Sequence, residues 1–361
     1  MKKVLFVAHV ESHILHFHIP YLKLFHDKGY EVHVATNGDS KIPFCDVKYN
    51  LPFQKSPLKK ENYIAFKEMK KILDTEVFEI IHCHTPVGGV IARLANRISK
   101  NYNNTRMIYT AHGFHFYNGA PLSYWLIFYP IERWMAHYTD VLITMNQEDY
   151  QRGKKFKLRN NGKTEYVHGV GVDETKFKFS MNDSEKIKLR SELGLESDDY
   201  VMIFPAELSK RKNQIFLIDV MKKLSTENKK IKLLLPGKDL LNGELQRIVK
   251  KHNLAESILF LGYRNDIPKL LKISDILISS SLQEGLPVNL VEASLAGMKC
   301  IVKNSRGNRE LGYTFESESE LYNLLKNSND LNVKNVDQYL LKNVIQEYVK
   351  IYWRDKITCN P

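Results

Sequence analysis

The chain has 361 residues, of which 43% are hydrophobic and 26% charged, and it carries a formal net charge of +12. Such a length suits two α/β domains, and the composition is that of a globular protein, not a fibrous or disordered one. The positive balance favours anionic partners, but no nucleic-acid motif accompanies basic stretches such as Lys154-Lys155-Phe156-Lys157 and Lys229-Lys230-Ile231-Lys232. An anionic membrane surface and a nucleotide diphosphate therefore rank above DNA or RNA, and no nucleic-acid partner is expected.

The basic start Met1-Lys2-Lys3 precedes an apolar run that ends at His9, too short for a signal peptide, so Val4 to Ala8 reads as a first buried strand. A helix from Ile19 to Lys28 ends at Gly29, and a strand follows from Glu31 to Ala35. The alternation continues with helix 65–73, strand 80–83, helix 88–98, strand 107–110, an aromatic helix near 122–137 and strand 141–144. Repeated βα units specify a parallel sheet with helices on both faces. After Val167 to Asp173 the texture turns polar, with a helix expected over 185–195, and a second βα series begins. Its strands are read at 200–204, 231–235, 258–261, 275–279 and 298–302, and a last helix runs from Val336 to Trp353. The expected division is 1–172, 173–335 and a terminal segment 336–361 that crosses back to the first domain. No run approaches the ~18 apolar residues of a spanning helix, so a cytoplasmic protein with at most peripheral membrane contact is expected. Cys45, Cys83, Cys300 and Cys359 show no paired spacing, which suits reduced thiols.

Several strand ends carry chemistry. Strand 200–204 leads into Pro205-Ala206-Glu207-Leu208-Ser209-Lys210-Arg211-Lys212, whose cations can clamp a pyrophosphate. Strand 107–110 leads into Ala111-His112-Gly113, where a neutral imidazole could face a substrate. Ser12, His13 and His16 follow the first strand and are candidates for binding an acceptor. Twelve of the 13 histidines precede residue 169, and His82-x-His84, His112-x-x-His115 and His13-x-x-His16-x-His18 invite a metal reading. Carboxylates to complete such a site are not evident nearby, so no metal is expected. The stretch Leu122 to Trp134 suits either a membrane interface or packing on the sheet.

The most specific word is Glu284-Gly285-Leu286-Pro287-Val288-Asn289-Leu290-Val291-Glu292, between an apolar strand and a helix in whose first turn Pro287 is expected. It resembles the E-x7-E signature of retaining glycosyltransferases of the GT-B type. Ala111 to Pro121, and Glu207-Leu208-x-x-Arg211-Lys212-Asn213, resemble the family 4 transferases of bacterial capsule and exopolysaccharide synthesis. The resemblance implies an α/β GT-B fold: two tandem Rossmann-like doubly wound domains, an interdomain cleft and a C-terminal crossover helix. It implies that Glu284 and His112 act at the transferred sugar and that Glu292 holds the ribose. Arg211, Lys212, Gly285, Leu286 and Val288 would bind the donor, and Tyr263 and Arg264 lie in the turn that reads the base, largely through main-chain groups. The donor would be a UDP-sugar, used without metal or other cofactor, and the acceptor a glycan on a polyprenyl diphosphate. Two departures stand out. Glu207 occupies a place where the family commonly has Arg, and the loop after Leu311 is short. The short loop keeps open a catalytically silent partner subunit, and a nucleotide-sugar epimerase of the same fold is a further alternative.

Overall fold

A computed structural model describes residues 1–228 and 230–353; Lys229, Cys359 and the end of the expected crossover segment lie outside the described residues. The chain forms two compact units. The first is Met1–Val170 with the chain from Val344 onward, and the second is Gly171–Asn343.

The first unit is built on strands β1 (Lys3–Val7), β2 (Glu31–Thr36), β3 (Val47–Asn50), β4 (Ile80–His84), β5 (Arg106–Ala111), β6 (Val141–Thr144) and β7 (Lys163–Tyr166). They pair in the order β3-β2-β1-β4-β5-β6-β7, every pairing parallel. Val4 to Val7 and all of β4 are buried, as expected of strands covered on both faces. The direction of the strand order reverses between β1 and β4. At such a switch point the loops leaving the strand ends diverge and open a ligand crevice. One of these loops differs from expectation: the polar segment after β1 forms a short helix, Glu11–Phe17, before the expected helix Ile19–Asp27. Its single buried residue, Ile14, carries too little apolar signal to mark a helix in the sequence.

The second unit holds β8 (Tyr200–Ile203), β9 (Ile231–Pro236), β10 (Ile258–Gly262), β11 (Ile276–Ser279), β12 (Lys299–Lys303) and β13 (Tyr313–Phe315). Their order is β10-β9-β8-β11-β12-β13, again all parallel, with the reversal between β8 and β11. The three strands absent from the sequence reading are β3, β7 and β13, and each is a sheet edge. Their residues are mostly half-exposed, so they lack the apolar run by which the inner strands are recognised.

The last helix is shorter than expected, Leu341–Tyr352. Val336, Tyr339 and Leu340 instead pack into the second unit's core, with a single 3-10 turn at Asp337–Tyr339. From Val344 the helix belongs to the first unit, where Tyr348 packs its ring 4.6 Å from that of Tyr21 and the Trp353 indole donates to the Tyr30 hydroxyl at 3.2 Å. Pro287 caps the helix Val288–Leu295 instead of entering its first turn. Among the described residues, no helix is long and apolar enough to cross a membrane.

Candidate functional site

At the switch point of the second unit, the loop after β8 meets the loop after β11. Lys212 places its ammonium 2.6 Å from one Glu284 oxygen, and Arg211 donates to the other at 3.0 Å. Arg211 also donates to the Gln283 carbonyl at 3.2 Å and to Glu207 at 3.3 Å. Glu207, which departs from the family pattern, thus accepts from the Arg211 guanidinium. Burial alone would raise the Glu284 carboxyl, but the charges of Lys212 and Arg211 outweigh it and hold the group below its ordinary value. Glu284 is therefore a buried carboxylate that is kept ionised.

Main-chain contacts fix this loop. Asn213 turns in the left-handed region (φ 56°) to start the helix Gln214–Glu227, and Ser280 donates to the Asn213 carbonyl at 2.8 Å. Arg306, buried in the loop after β12, donates through Nε to the Glu284 carbonyl at 2.9 Å, while the Glu284 N–H donates to the Arg306 carbonyl at 3.2 Å. Next to it, Gly307 has φ 80°, and a Cβ there would lie 2.8 Å from the Gly285 oxygen. Sequence reasoning missed Arg306 and Gly307; the available signal was an Arg-Gly pair leaving a buried strand.

Gly285, Leu286 and Val288 join Glu284 to the helix Val288–Leu295, with Leu286 and Val288 packed against the unit's core. One turn further on, Glu292 is half-buried and makes no side-chain hydrogen bond or ion pair among the described residues. Burial pushes its carboxyl up to about 7, against a smaller opposing pull from Lys176. The two glutamates are thus in different states: Glu284 is charged and clamped, and Glu292 is poised near neutrality. In the turn after β10, Tyr263 is 73% exposed, whereas Arg264 is engaged by Asp266 through two hydrogen bonds of 2.7 and 2.5 Å. The Arg264 fork is thereby held locally.

The first unit's switch point gathers histidines from three strand ends. His13 and His18 follow β1, His84 ends β4, and His112 follows β5. The Nε2 atoms of His13 and His112 are 3.1 Å apart, and His112 Nε2 lies 3.4 Å from His84 Nδ1. His18 stacks on His84 with ring centroids 3.8 Å apart. Both ring nitrogens of His18 and Nε2 of His84 are buried without a hydrogen-bond partner. Each such orphan costs about 1–3 kcal/mol. Burial holds His18, His84 and His112 far below the ordinary imidazole value and His13 at about 4, so these rings are neutral at physiological pH. His82, on the same strand as His84, is occupied differently: the Tyr352 and Thr110 hydroxyls flank its two nitrogens at 2.7 and 2.8 Å. Of the other acceptor candidates, Ser12 and His16 are exposed, and His16 Nδ1 donates to the Ser12 carbonyl at 2.6 Å. His115 stands apart from the cluster and stacks on Phe128.

The aromatic helix Leu122–Ala136 divides its faces. Trp125, Phe128 and Tyr129 pack on the unit's core, while Leu122, Leu126, Ile127, Ile131 and Trp134 are exposed.

Two family models match the chain. "Glycosyl transferase 4-like" covers residues 3–146 and "Glycosyl transferases group 1" covers residues 185–317. The Bacillus subtilis protein EpsD, named as a glycosyltransferase, is 40% identical over 310 residues, 86% of this chain and 81% of its own. The chain belongs to the family 4, group 1 glycosyltransferases. A further relative of this glycosyltransferase is the UDP-Gal:alpha-D-GlcNAc-diphosphoundecaprenol alpha-1,3-galactosyltransferase of Escherichia coli, 31% identical over 262 residues, 68% of this chain and 65% of that one. The fold is GT-B. Anabaena HepE, solved in complex with UDP-glucose, superposes with a TM-score of 0.75 at 19% identity over 98% of this chain and 100% of its own. WaaG, a glycosyltransferase involved in lipopolysaccharide biosynthesis, does so at 0.71 with 13% identity over 97% and 99%.

Proposed function

We propose that this glycosyltransferase moves a hexosyl or N-acetylhexosaminyl group from a UDP-sugar to a glycan carried on a polyprenyl diphosphate, with retention of configuration, during capsule or exopolysaccharide assembly. The observation that carries the reading is the Glu284 carboxylate clamped between Arg211 and Lys212 at the second sheet's switch point. Glu284 and Glu207 offset the two cations, so an arriving diphosphate binds by drawing the Lys212 ammonium and the Arg211 guanidinium onto its own oxygens. As the bond from the sugar's anomeric carbon to the diphosphate oxygen breaks, charge develops on that oxygen. Lys212, Arg211 and the N-terminus of the helix Val288–Leu295 stabilise it, the helix contributing about 0.3–1 kcal/mol or more when buried. No metal is assigned to this step, because these groups supply the charge.

The acceptor hydroxyl attacks the same sugar face and passes its proton to the departing phosphate oxygen, so no covalent enzyme intermediate forms. Glu284 orients the sugar hydroxyls, His112 acts at the sugar's reacting face, and Glu292 accepts hydrogen bonds from the ribose. Ser12, His13 and His16 are assigned to the acceptor. A lipid-linked acceptor is supported by the name of the Escherichia coli relative and by the exposed apolar face of Leu122–Ala136, which suits peripheral contact with the inner face of an anionic membrane. A UDP donor is supported by the same name and by the HepE complex.

Mass spectrometry of reactions with paired UDP-sugars and lipid-linked acceptors tests the reading. Transfer with retained anomeric configuration, not lowered by a chelator and lost in Glu284→Gln, is expected. Isomerisation of the donor in the absence of acceptor points to an epimerase instead. Failure of any nucleotide sugar to raise the melting temperature removes the donor assignment.

A further inference from the structure

We propose that His13, His18, His84 and His112 form a binding site for one divalent transition-metal ion, with zinc the best match. One ring nitrogen from each residue lies within 4.8 Å of those of the other three. A tetrahedral zinc site with Zn–N bonds of about 2.0–2.1 Å needs its nitrogens about 3.3 Å apart. The His13–His112 and His112–His84 pairs, at 3.1 and 3.4 Å, already meet that spacing. The His13–His84 pair and the pairs with His18 lie within 4.8 Å and close further on binding, and the two ring nitrogens of His18 have no hydrogen bond to give up.

Four observations support an ion here over a packed cluster of rings. The cluster buries both ring nitrogens of His18 without a protein partner, which leaves one free to take an ion, whereas the neighbouring His82 has a partner for each nitrogen. His84 and His112 come from the ends of adjacent strands β4 and β5, and His13 and His18 from the helix Glu11–Phe17 and its C-cap, which follow the neighbouring strand β1. His18 and His84 form a buried floor, and the half-exposed His13 and His112 form the mouth by which an ion enters. Finally, the donor set is all imidazole. It favours zinc, cobalt, nickel or copper and gives magnesium or calcium none of the oxygen ligands they require.

The site lies in the first unit, whereas Arg211 and Lys212 lie in the second, so it is distinct from the charge proposed to hold the diphosphate. If His112 acts at the donor sugar, as proposed above, an ion on its Nε2 competes with that role, and zinc should lower transfer reversibly. This consequence rests on the functional reading; metal binding does not.

The test uses the full chain without an affinity tag, stripped by chelator and titrated with zinc chloride by calorimetry, with zinc content measured after gel filtration. One zinc per chain is expected, not displaced by excess magnesium. Cobalt(II) in its place should show the intense visible bands of a tetrahedral ion. His18→Gln and His84→Asn should each weaken zinc binding by about 100-fold or more, since loss of mere outer-shell partners already costs 10–100-fold. His137→Gln, at an exposed histidine outside the cluster, should leave binding unchanged. Equal zinc affinity in wild type and a folded His18→Gln variant overturns the proposal. So does a weak, octahedral cobalt spectrum of the wild-type chain, a readout that needs neither variant to fold. No step depends on transfer activity, so a protein that binds zinc but stays inactive after the metal is stripped would refute the functional reading while upholding the site.

Discussion

Lys212 lies 2.6 Å from Glu284 although 72 residues separate them, and the two are brought together by the reversal of strand order between β8 and β11. The pair is oriented by its surroundings: Arg211 takes the second carboxylate oxygen, and Arg306 fixes the Glu284 main chain from behind. The carboxylate consequently stays charged despite burial, which distinguishes it from Glu292 on the following helix.

Removing one member of this cluster should separate stability from catalysis. Lys212→Met leaves Glu284 buried with Arg211 alone, and a fall in stability of about 1–3 kcal/mol is expected. Lys212→Met combined with Glu284→Gln removes the uncompensated charge as well and should recover part of that loss. Transfer should fall about 100- to 1,000-fold in the single variant and not recover in the double one. Urea melts and initial rates on the same preparations check both halves; recovery of activity in the double variant would contradict the role given to Lys212.

Gly307 supports Glu284 by having no side chain. At φ 80° an alanine is strained, and its Cβ would meet the Gly285 oxygen at 2.8 Å. Gly307→Ala should lower stability by about 1–3 kcal/mol and push the Glu284 loop outward. The kinetic signature is a raised KM for the donor and a reduced kcat, with the KM for the acceptor unchanged. An unaltered donor KM would show that the loop does not depend on this close approach.

The inner strands were legible because each is an apolar run, buried on both faces, and their alternation with helices specifies two parallel sheets. The edges β3, β7 and β13 were not, since a half-exposed strand of four residues or fewer carries no such run. At the site, Glu284, Arg211 and Lys212 could be placed at strand ends from local sequence, but their mutual pairing depends on strand order, which local pattern does not encode. The histidines make the same point: three spacings were visible, yet His13, His18, His84 and His112 are brought together by the adjacency of β1, β4 and β5. His82 and His115, equally prominent in the sequence, are turned to other partners.

The exposed face of Leu122–Ala136 predicts membrane contact. Leu126 is 68% and Trp134 52% exposed on the face opposite the packed Trp125, Phe128 and Tyr129. Leu126→Glu with Trp134→Glu should reduce co-sedimentation with vesicles of anionic lipid by about tenfold or more while changing stability by about 0.5 kcal/mol or less. Equal sedimentation of the variant and wild type would remove this face from any account of how a lipid-linked acceptor is reached.

Glu292 predicts an opposed pH dependence for the free and the donor-bound protein. Its carboxyl is raised from an ordinary 4.5 to about 7 by burial. Between those values the folded chain holds a proton that the unfolded chain has released, so the unfolded state binds fewer protons and stability falls as pH rises. The contribution is fully present below pH 4.5 and is lost as pH passes through about 7. Ribose hydroxyls donate to a carboxylate better than to a neutral acid, so donor binding should favour the ionised form and tighten across the upper part of the same window. Glu292→Gln, neutral throughout, should abolish both slopes and at pH 8 weaken donor binding by about 10- to 100-fold. Calorimetric titration of the donor from pH 5.5 to 8.5, alongside urea melts without it, measures the two effects. A donor affinity with the same pH slope in Glu292→Gln and wild type would assign the ribose contact to another group.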